Sequence, residues 1–129
     1  MEMITEDYIS FETAKLIKEK GFDEPCLMCY TSDKKLANYG LYRYNSEVFA
    51  LTAPTLQMAM KWLREVPHYY VQVMLDSWAC GGHMGYYVVI QKTDSDFEMM
   101  LSDALDEVFY ETYEEAAESA IKYCLENLI

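Results

Sequence analysis

The strictest pattern in this chain is the alternation of side chains over residues 69–75. The odd positions hold tyrosine, valine, valine and leucine, and the even positions hold tyrosine, glutamine and methionine. Because successive side chains of a strand point to opposite faces, this alternation predicts a half-buried β-strand. A glycine-rich loop at 77–85 leads into residues 86–92, where one face again carries tyrosine, valine and isoleucine. The two segments are predicted to form a hairpin.

A second pair of strand-like segments lies earlier in the chain. Residues 26–30 and 39–44 are rich in residues that favour strands, and a polar loop at 31–38 separates them. They predict another hairpin. Residues 93–107 fit two interpretations: an edge strand over 97–101, or a helical turn that begins at residue 102. We adopt the edge strand.

The first helix is marked at both ends. Ser10 is a suitable N-cap for the apolar pattern that follows it, and Gly21 stands where a helix commonly ends in the left-handed conformation. Phe22 would then contact Ile17, which is the apolar contact that accompanies this type of C-terminal cap. The helix is therefore predicted to end near Lys20.

Two further helices are indicated by apolar spacing and by their boundaries. Residues 52–55 open the second helix, and Pro67 closes it because proline disfavours helical geometry in the residue before it. In the third helix, Thr112 and Glu115 have the spacing of a capping box. A short strand-like segment at 108–110 leads into this helix.

The order of these elements predicts the fold class. A chain of 129 residues with 52% apolar residues has the size and the core-forming side chains of one domain. We expect a single α+β domain over residues 1–129, an antiparallel sheet of two hairpins with helices packed on it. The predicted order is α-β-β-α-β-β-(β)-α, where the bracketed strand is the adopted edge strand.

The charge of the chain is strongly negative and uneven. It has 10 basic and 22 acidic residues, for a net charge of −12, and residues 93–129 hold eleven acids against the single base Lys122. Binding to nucleic acid or to an anionic membrane depends on cations that neutralise phosphates, so this balance argues against both partners. The acidic C-terminal region is typical of a solvated helix face. This acidic region would also suit a basic protein partner.

Two absences bear on location. The chain has no run of about 18 apolar residues, so no membrane span is expected. Residues 1–7 lack the basic and apolar regions of a signal peptide. A cytoplasmic protein is therefore expected, in which four cysteines would be free or metal-bound thiols.

The cysteines offer one metal-like pattern. Cys26, Cys29, Cys80 and His83 form two pairs at metal-ligand spacing and could supply a Cys3His zinc site. Cys26 and Cys29 lie in a predicted strand, however, where positions three apart point to opposite faces, so a turn would have to replace the strand. Packed thiols without any cofactor are the other interpretation. Cys26, Cys80 and His83 could also line a pocket for a small molecule or for thiol chemistry.

Tyrosine is the most unusual feature of the composition. Eight of the twelve tyrosines fall on the four strands of the predicted hairpins, and adjacent pairs must divide between the two faces of a sheet. Cross-strand packing accounts for some of them, and an outward face would suit a partner because tyrosine combines a large ring with a polar hydroxyl. The candidate interaction residues are Tyr42, Tyr44, Tyr70 and Tyr87.

No phosphate-binding loop, metalloprotease motif, nucleophile elbow or dinucleotide fingerprint occurs in the sequence. This favours a protein that is not an enzyme. The preferred interpretation is a protein-interaction or accessory protein that binds through a tyrosine-rich sheet face or the acidic C-terminal region. The partner would be another protein or a second copy of the chain, and the alternative is the pocket described above.

Four stretches together resemble a known group of sequences. They are residues 21–26, 53–55, 61–66 and 110–116. In this order they are similar to small uncharacterised proteins of gut Bacteroides-type bacteria and of their phages or prophages. The resemblance spans most of the chain outside its centre and implies a phage-related accessory role, while it implies no activity.

Overall fold

The computed structural model describes residues 3–76, 85–105 and 109–129 of the chain. The helices are α1 (Phe11–Glu19), α2 (Leu56–Glu65) and α3 (Tyr113–Tyr123), and the strands are β1 (Cys26–Tyr30), β2 (Leu36–Arg43), β3 (Tyr69–Asp76), β4 (Gly85–Lys92) and β5 (Glu98–Met100). A 3-10 turn at Leu101–Asp103 follows β5, and a π-helical turn at Cys124–Leu128 continues α3. The predicted α+β class and element order are confirmed. Within the described ranges, no helix has both the length and the apolar character that a membrane span requires.

The strands form two antiparallel sheets. β1 pairs with β2, and the second sheet has the order β3-β4-β5. The two hairpins stay apart because the chain after β2 returns along the outer edge of β1. The Tyr30 N–H donates to the Leu51 carbonyl at 2.8 Å, and the Ala53 N–H donates to the Met28 carbonyl at 2.9 Å. These bonds occupy the edge that a further strand would have used.

Each of the three helices begins at a capping side chain. Ser10 and Thr112 are the predicted N-caps, and Thr55 lies in the segment 52–55 that was predicted to open α2. The side-chain oxygens of Ser10, Thr55 and Thr112 each accept a hydrogen bond from the backbone N–H three residues later, at 3.1–3.2 Å. Each bond satisfies one of the backbone donors that a helix leaves free at its start. The predicted helix starts are therefore confirmed.

The end of α1 has the predicted geometry as well. Gly21 has a φ of +97°, and its N–H donates to the Lys18 carbonyl at 3.1 Å. The Phe22 N–H donates to the Ile17 carbonyl, also at 3.1 Å. These two bonds are those of a Schellman cap. They turn the chain sharply so that Phe22 enters the core, where its ring meets Trp62 edge-on with centroids 5.7 Å apart.

Residues 93–105 contain both of the alternatives that the sequence left open, an edge strand and a helical turn. β5 is the edge strand favoured for residues 93–107, and the 3-10 turn directly after it is the helical turn. β2 starts earlier than expected because the turn before it is tight, with the Lys34 N–H donating to the Thr31 carbonyl at 2.9 Å. Tyr110 forms an isolated bridge with Tyr86, while residues 106–108 lie outside the described residues.

The core lies between the three-stranded sheet and the helices α2 and α3. Leu63 from α2, Val88 and Ile90 from β4, and Ile121 and Leu125 from the C-terminal helical segment are all almost completely buried in one cluster. α1 packs against α3 and its π-helical turn. Removing such side chains from water is the main favourable term in folding, so this layer holds the domain together.

Gly21 allows a direct test of the α1 cap. Its φ of +97° suits glycine, and nothing lies within 4 Å of the position that a Cβ would take, so a substitution there strains only the backbone. We expect Gly21→Ala to lower the free energy of unfolding by about 1–2 kcal/mol. Gly21→Asn should cost less, because asparagine enters the left-handed region more readily. Urea denaturation measures all three proteins, and equal stability of Gly21→Ala and the wild type would contradict the role of the cap.

Candidate functional site

β2 leaves one edge of the first sheet open. No other strand of the described chain pairs with its outer side. Its register with β1 is irregular, since Cys26 pairs with Arg43 but Met28 pairs with Asn38. Four residues of β2, at 39–42, therefore oppose the single residue of β1 between these pairs, and they bulge outward. Tyr42 in this bulge is 62% exposed.

Gly40 shapes the bulge. Its φ of +78° lies in the left-handed region, and its N–H donates to Asn38 Oδ1 at 2.8 Å. The bulge places the side chains of Tyr39, Leu41 and Tyr42 in solvent. A bulge also interrupts the regular row of backbone groups on an edge strand, which works against edge-to-edge pairing of sheets.

The loop after β2 exposes two further apolar side chains. Val48 is 83% exposed and Phe49 is 99% exposed. Both line a groove of about 340 Å³ between this loop and the first sheet. We call it the β2 groove, and its lining residues are Cys29, Tyr30, Tyr39, Arg43, Glu47, Val48, Phe49 and Ala50. Burying a phenylalanine side chain stabilises a protein by about 1.5–3 kcal/mol, so the position of Phe49 forgoes that contribution.

A buried asparagine fixes the base of this loop. Asn45 is almost completely buried. Its Nδ2 donates to the Phe22 carbonyl at 3.0 Å, and its Oδ1 accepts from the Thr52 N–H at 2.9 Å. The side chain thereby connects the end of α1 to the segment before α2. Both of its polar groups are paired, as a buried amide requires.

Charged groups hold the rest of the loop. Arg43 Nη1 donates to Glu47 Oε2 at 3.1 Å, and Glu47 Oε1 accepts from the Tyr44 N–H at 3.2 Å. Lys18 Nζ reaches from α1 to the Ala50 carbonyl at 2.6 Å. The backbone on both sides of Val48 and Phe49 is thus tied down. The exposure of Phe49 is a property of an ordered loop.

The structure divides the four predicted interaction tyrosines between two sheets. Tyr42 and Tyr44 are exposed in and directly after β2. Tyr70 is exposed on β3, with the Arg64 guanidinium 5.9 Å from its ring centroid. Tyr87 on β4 is half-buried and meets the Phe109 ring edge-on at 6.3 Å. Tyr42 and Tyr44 lie near the β2 groove along the chain, whereas Tyr70 and Tyr87 belong to the other sheet. The four tyrosines therefore do not form one face.

The described cysteines are buried. Burial raises the pKa of the Cys26 thiol to about 11, with a hydrogen bond to Thr52 opposing the shift. Burial also raises the pKa of Cys29 in the β2 groove, where Arg43 lowers it and Glu47 adds to the rise. Cys124 is the most buried, and burial raises its pKa to about 12. Thiols with such pKa values stay protonated at neutral pH and are poor nucleophiles.

The predicted zinc ligands are only partly described. Cys80 and His83 lie outside the described residues, while Cys26 lines a cleft of about 200 Å³ with Tyr42 and Met58. Within the part of the chain that the structure covers, no three histidine, cysteine or acidic side chains come together as metal ligands. The zinc site and the thiol pocket stay predictions.

Sequence reasoning missed the residues that define the groove. Val48 and Phe49 begin a run of four apolar residues at 48–51, and nothing in its periodicity separates an exposed residue from a buried one. The signal that could have drawn attention to them is their position in a short connection between a strand and a capped helix, where exposed apolar groups are unusual. No protein-family model, curated protein or solved structure matches the chain.

Asn45 offers a test of how the loop is fixed. In Asn45→Ala, the Phe22 carbonyl and the Thr52 N–H lose their partner in a buried environment. Each unsatisfied group costs roughly 1–3 kcal/mol, so we expect the free energy of unfolding to fall by at least about 2 kcal/mol. The control is Asn127→Ala, whose exposed side chain makes only a local bond to the Tyr123 carbonyl and should matter by less than about 0.5 kcal/mol. Urea denaturation compares them, and equal effects would show that Asn45 does not anchor the loop.

The buried thiols predict a loss of stability at high pH. Cys124 has a pKa of about 12 in the folded protein against 9.0 for an ordinary thiol. Above pH 9, the unfolded chain releases this proton while the folded chain retains it, so the free energy of unfolding falls as the pH rises toward the folded value. Cys124→Ala should therefore lose stability less steeply between pH 9 and 11 than the wild type. Denaturation at several pH values measures the slopes, and identical slopes would contradict the burial of this thiol.

Proposed function

We propose that this protein is a non-catalytic interaction protein and that it docks another protein through the β2 groove. The observation that carries the proposal is the 99% exposure of Phe49 on a loop held by Asn45, Glu47 and Lys18. An ordered loop that holds an aromatic ring in water gains nothing from that ring in the free protein. It is ready to bury the ring against a partner at little cost in conformational entropy.

The groove has the composition of an interface centre. Such centres are rich in aromatic side chains and poor in charge. Residues 31–50 contain three bases and two acids, whereas the whole chain has a net charge of −12. The negative field of the protein therefore opposes docking at the β2 groove less than it does at the acidic C-terminal region. Its volume of about 340 Å³ is at the lower end of pockets that take an inserted group.

The partner in this proposal is a different protein that inserts an apolar side chain beside Phe49. Pairing of β2 with the β2 of a second copy would need a straight edge, and the bulge at 39–42 interrupts that edge. Arg43 and Glu47 already satisfy each other at 3.1 Å, so they would form a polar border to the contact. An apolar anchor with a polar border is the usual arrangement of a binding hot spot.

The setting of this activity is also a proposal. The similarity to small proteins of gut Bacteroides-type bacteria and their phages or prophages supports an accessory role in such a system. An accessory protein of this kind would act in the cytoplasm, where its reduced thiols persist. Its partner would then be a protein of the host or of the phage.

Site-specific photocrosslinking tests the proposal. A benzophenone amino acid replaces Phe49 in one protein and Ile4, an equally exposed apolar residue far from the groove in the chain, in the other. Irradiation in the expressing cells should give a distinct adduct only from position 49. Phe49→Ala should weaken the purified complex by about 2 kcal/mol or more, roughly 30-fold in Kd. Its stability should stay within about 0.5 kcal/mol of the wild type.

The outcomes separate the alternatives. Adducts of equal yield from positions 49 and 4 would mean nonspecific contact and would contradict the proposal. An adduct with twice the mass of the chain would assign the groove to self-association and would overturn the proposal of a different partner. If Phe49→Ala protein, added before irradiation, reduces the adduct yield as much as wild-type competitor does, the ring is not the anchor.

A further inference from the structure

A second cleft, with a volume of about 760 Å³, lies between the segment before α1 and the start of α3. Its acidic lining residues are Glu6, Asp7, Glu114, Glu115 and Glu118. The remaining lining residues that the structure describes are apolar, aromatic or hydroxyl-bearing, and none is basic. The cleft therefore concentrates negative charge over a partly apolar floor, and a cleft of one sign attracts ligands of the other.

Both walls of the cleft are held in place by backbone contacts. The Leu56 N–H donates to the Asp7 carbonyl at 2.9 Å, and the Ile9 N–H donates to the Pro54 carbonyl at 3.1 Å. These bonds fasten the N-terminal segment to the start of α2. On the opposite wall, the Thr112 cap fixes the first turn of α3, which carries Glu114 and Glu115. The carboxylates thus belong to two ordered segments.

Two residues that line this cleft each have a buried polar atom with no hydrogen-bond partner among the described residues. Glu118 Oε1 accepts from the Ser10 N–H at 2.8 Å, while its Oε2 is buried without a hydrogen bond. Tyr110 also lines the cleft and is only 5% exposed, and its buried hydroxyl has no hydrogen bond either. An unsatisfied buried polar group costs roughly 1–3 kcal/mol, so each such group calls for an explanation. Both oxygens are covered in the free protein, so a ligand donor would satisfy them only after a small movement of the side chains around them.

The arrangement favours an extended cation over a compact one. In the described part of the chain, no three acidic, histidine or cysteine side chains converge as they would around a metal ion. The carboxylates instead share the cleft with Tyr8, Leu36 and Leu56 and do not converge on one point. An aliphatic chain can rest its methylene groups on this floor, as lysine stems do on apolar surface. Ammonium groups at its ends can then donate to the carboxylates and to the Tyr110 hydroxyl.

We propose that this cleft binds a free aliphatic polyamine, with one ammonium group at Glu118 and Tyr110 and another at Glu114 and Glu115. The terminal torsion of a glutamate side chain is soft, so the Glu118 carboxylate can turn its free oxygen toward the ligand. The volume of about 760 Å³ lies within the range of small-molecule sites. This site is separate from the β2 groove and does not depend on it.

Calorimetric titration with spermidine at fixed ionic strength tests the proposal. Wild-type protein should show one saturable site. Glu118→Gln and Tyr110→Phe should each weaken binding, by about tenfold for the carboxylate, because a hydrogen bond to a charged group contributes roughly 1.5–3 kcal/mol. Glu114→Gln combined with Glu115→Gln removes two exposed charges without disturbing the core and should weaken binding as well. Glu65→Gln is the matched control on α2, and its affinity should equal that of the wild type.

Several results would overturn the proposal. They are the absence of saturable heat, an equal loss in Glu65→Gln, or full displacement of spermidine by magnesium chloride at the same ionic strength, which would indicate diffuse counterions. A lysine-rich peptide, acetylated only at its N-terminus, that binds more than tenfold tighter than spermidine would assign the cleft to a protein partner instead. Phe49→Ala should bind spermidine like the wild type. A failure of the polyamine proposal can therefore be told apart from a failure of the proposal that the β2 groove docks a protein.

Discussion

The rest of the structure depends on the return of the chain along β1 after β2. Hydrogen bonds from Tyr30 to Leu51 and from Ala53 to Met28 close the β1 edge, and the Asn45 side chain connects the same segment to the end of α1. This one arrangement separates the two sheets, sets the starting point of α2 and fixes the loop that carries Phe49. Because the amide of Asn45 is buried and fully paired, the loop cannot shift without leaving buried polar groups unsatisfied.

The two proposed sites use opposite physical properties, and the charge distribution keeps them apart. The β2 groove lies in a stretch of chain whose charges nearly cancel, so an apolar partner meets little repulsion or competition from ions. The acidic cleft draws on the C-terminal third, where eleven acids face one base. A strongly acidic protein repels other acidic surfaces, which agrees with the different classes of ligand proposed for the neutral groove and the anionic cleft.

Local chemistry made much of the fold predictable. Ser10, Thr55 and Thr112 cap their helices through bonds to residues three positions away, and the Gly21 cap is formed within five residues. The alternation over residues 69–75 is likewise a local property of an extended strand. The four tyrosines proposed for interaction were harder to place. Their alternation indicated which neighbours point apart, but it carried no information about which hairpin shares a sheet with which.

By itself, the sequence determined the α+β class, the order of the elements, their caps and the negative charge, because each follows from spacing and composition. Only the tertiary structure decided that the hairpins form two sheets, that Phe49 stands in solvent and that Glu118 bonds to Ser10 across 108 positions of the chain. These outcomes depend on which distant segments meet, and they are set by the packing of the whole core and the pairing of its buried polar groups. A periodic pattern in the sequence shows which face of a helix or strand is buried, whereas the packing of the whole fold decides which element covers that face.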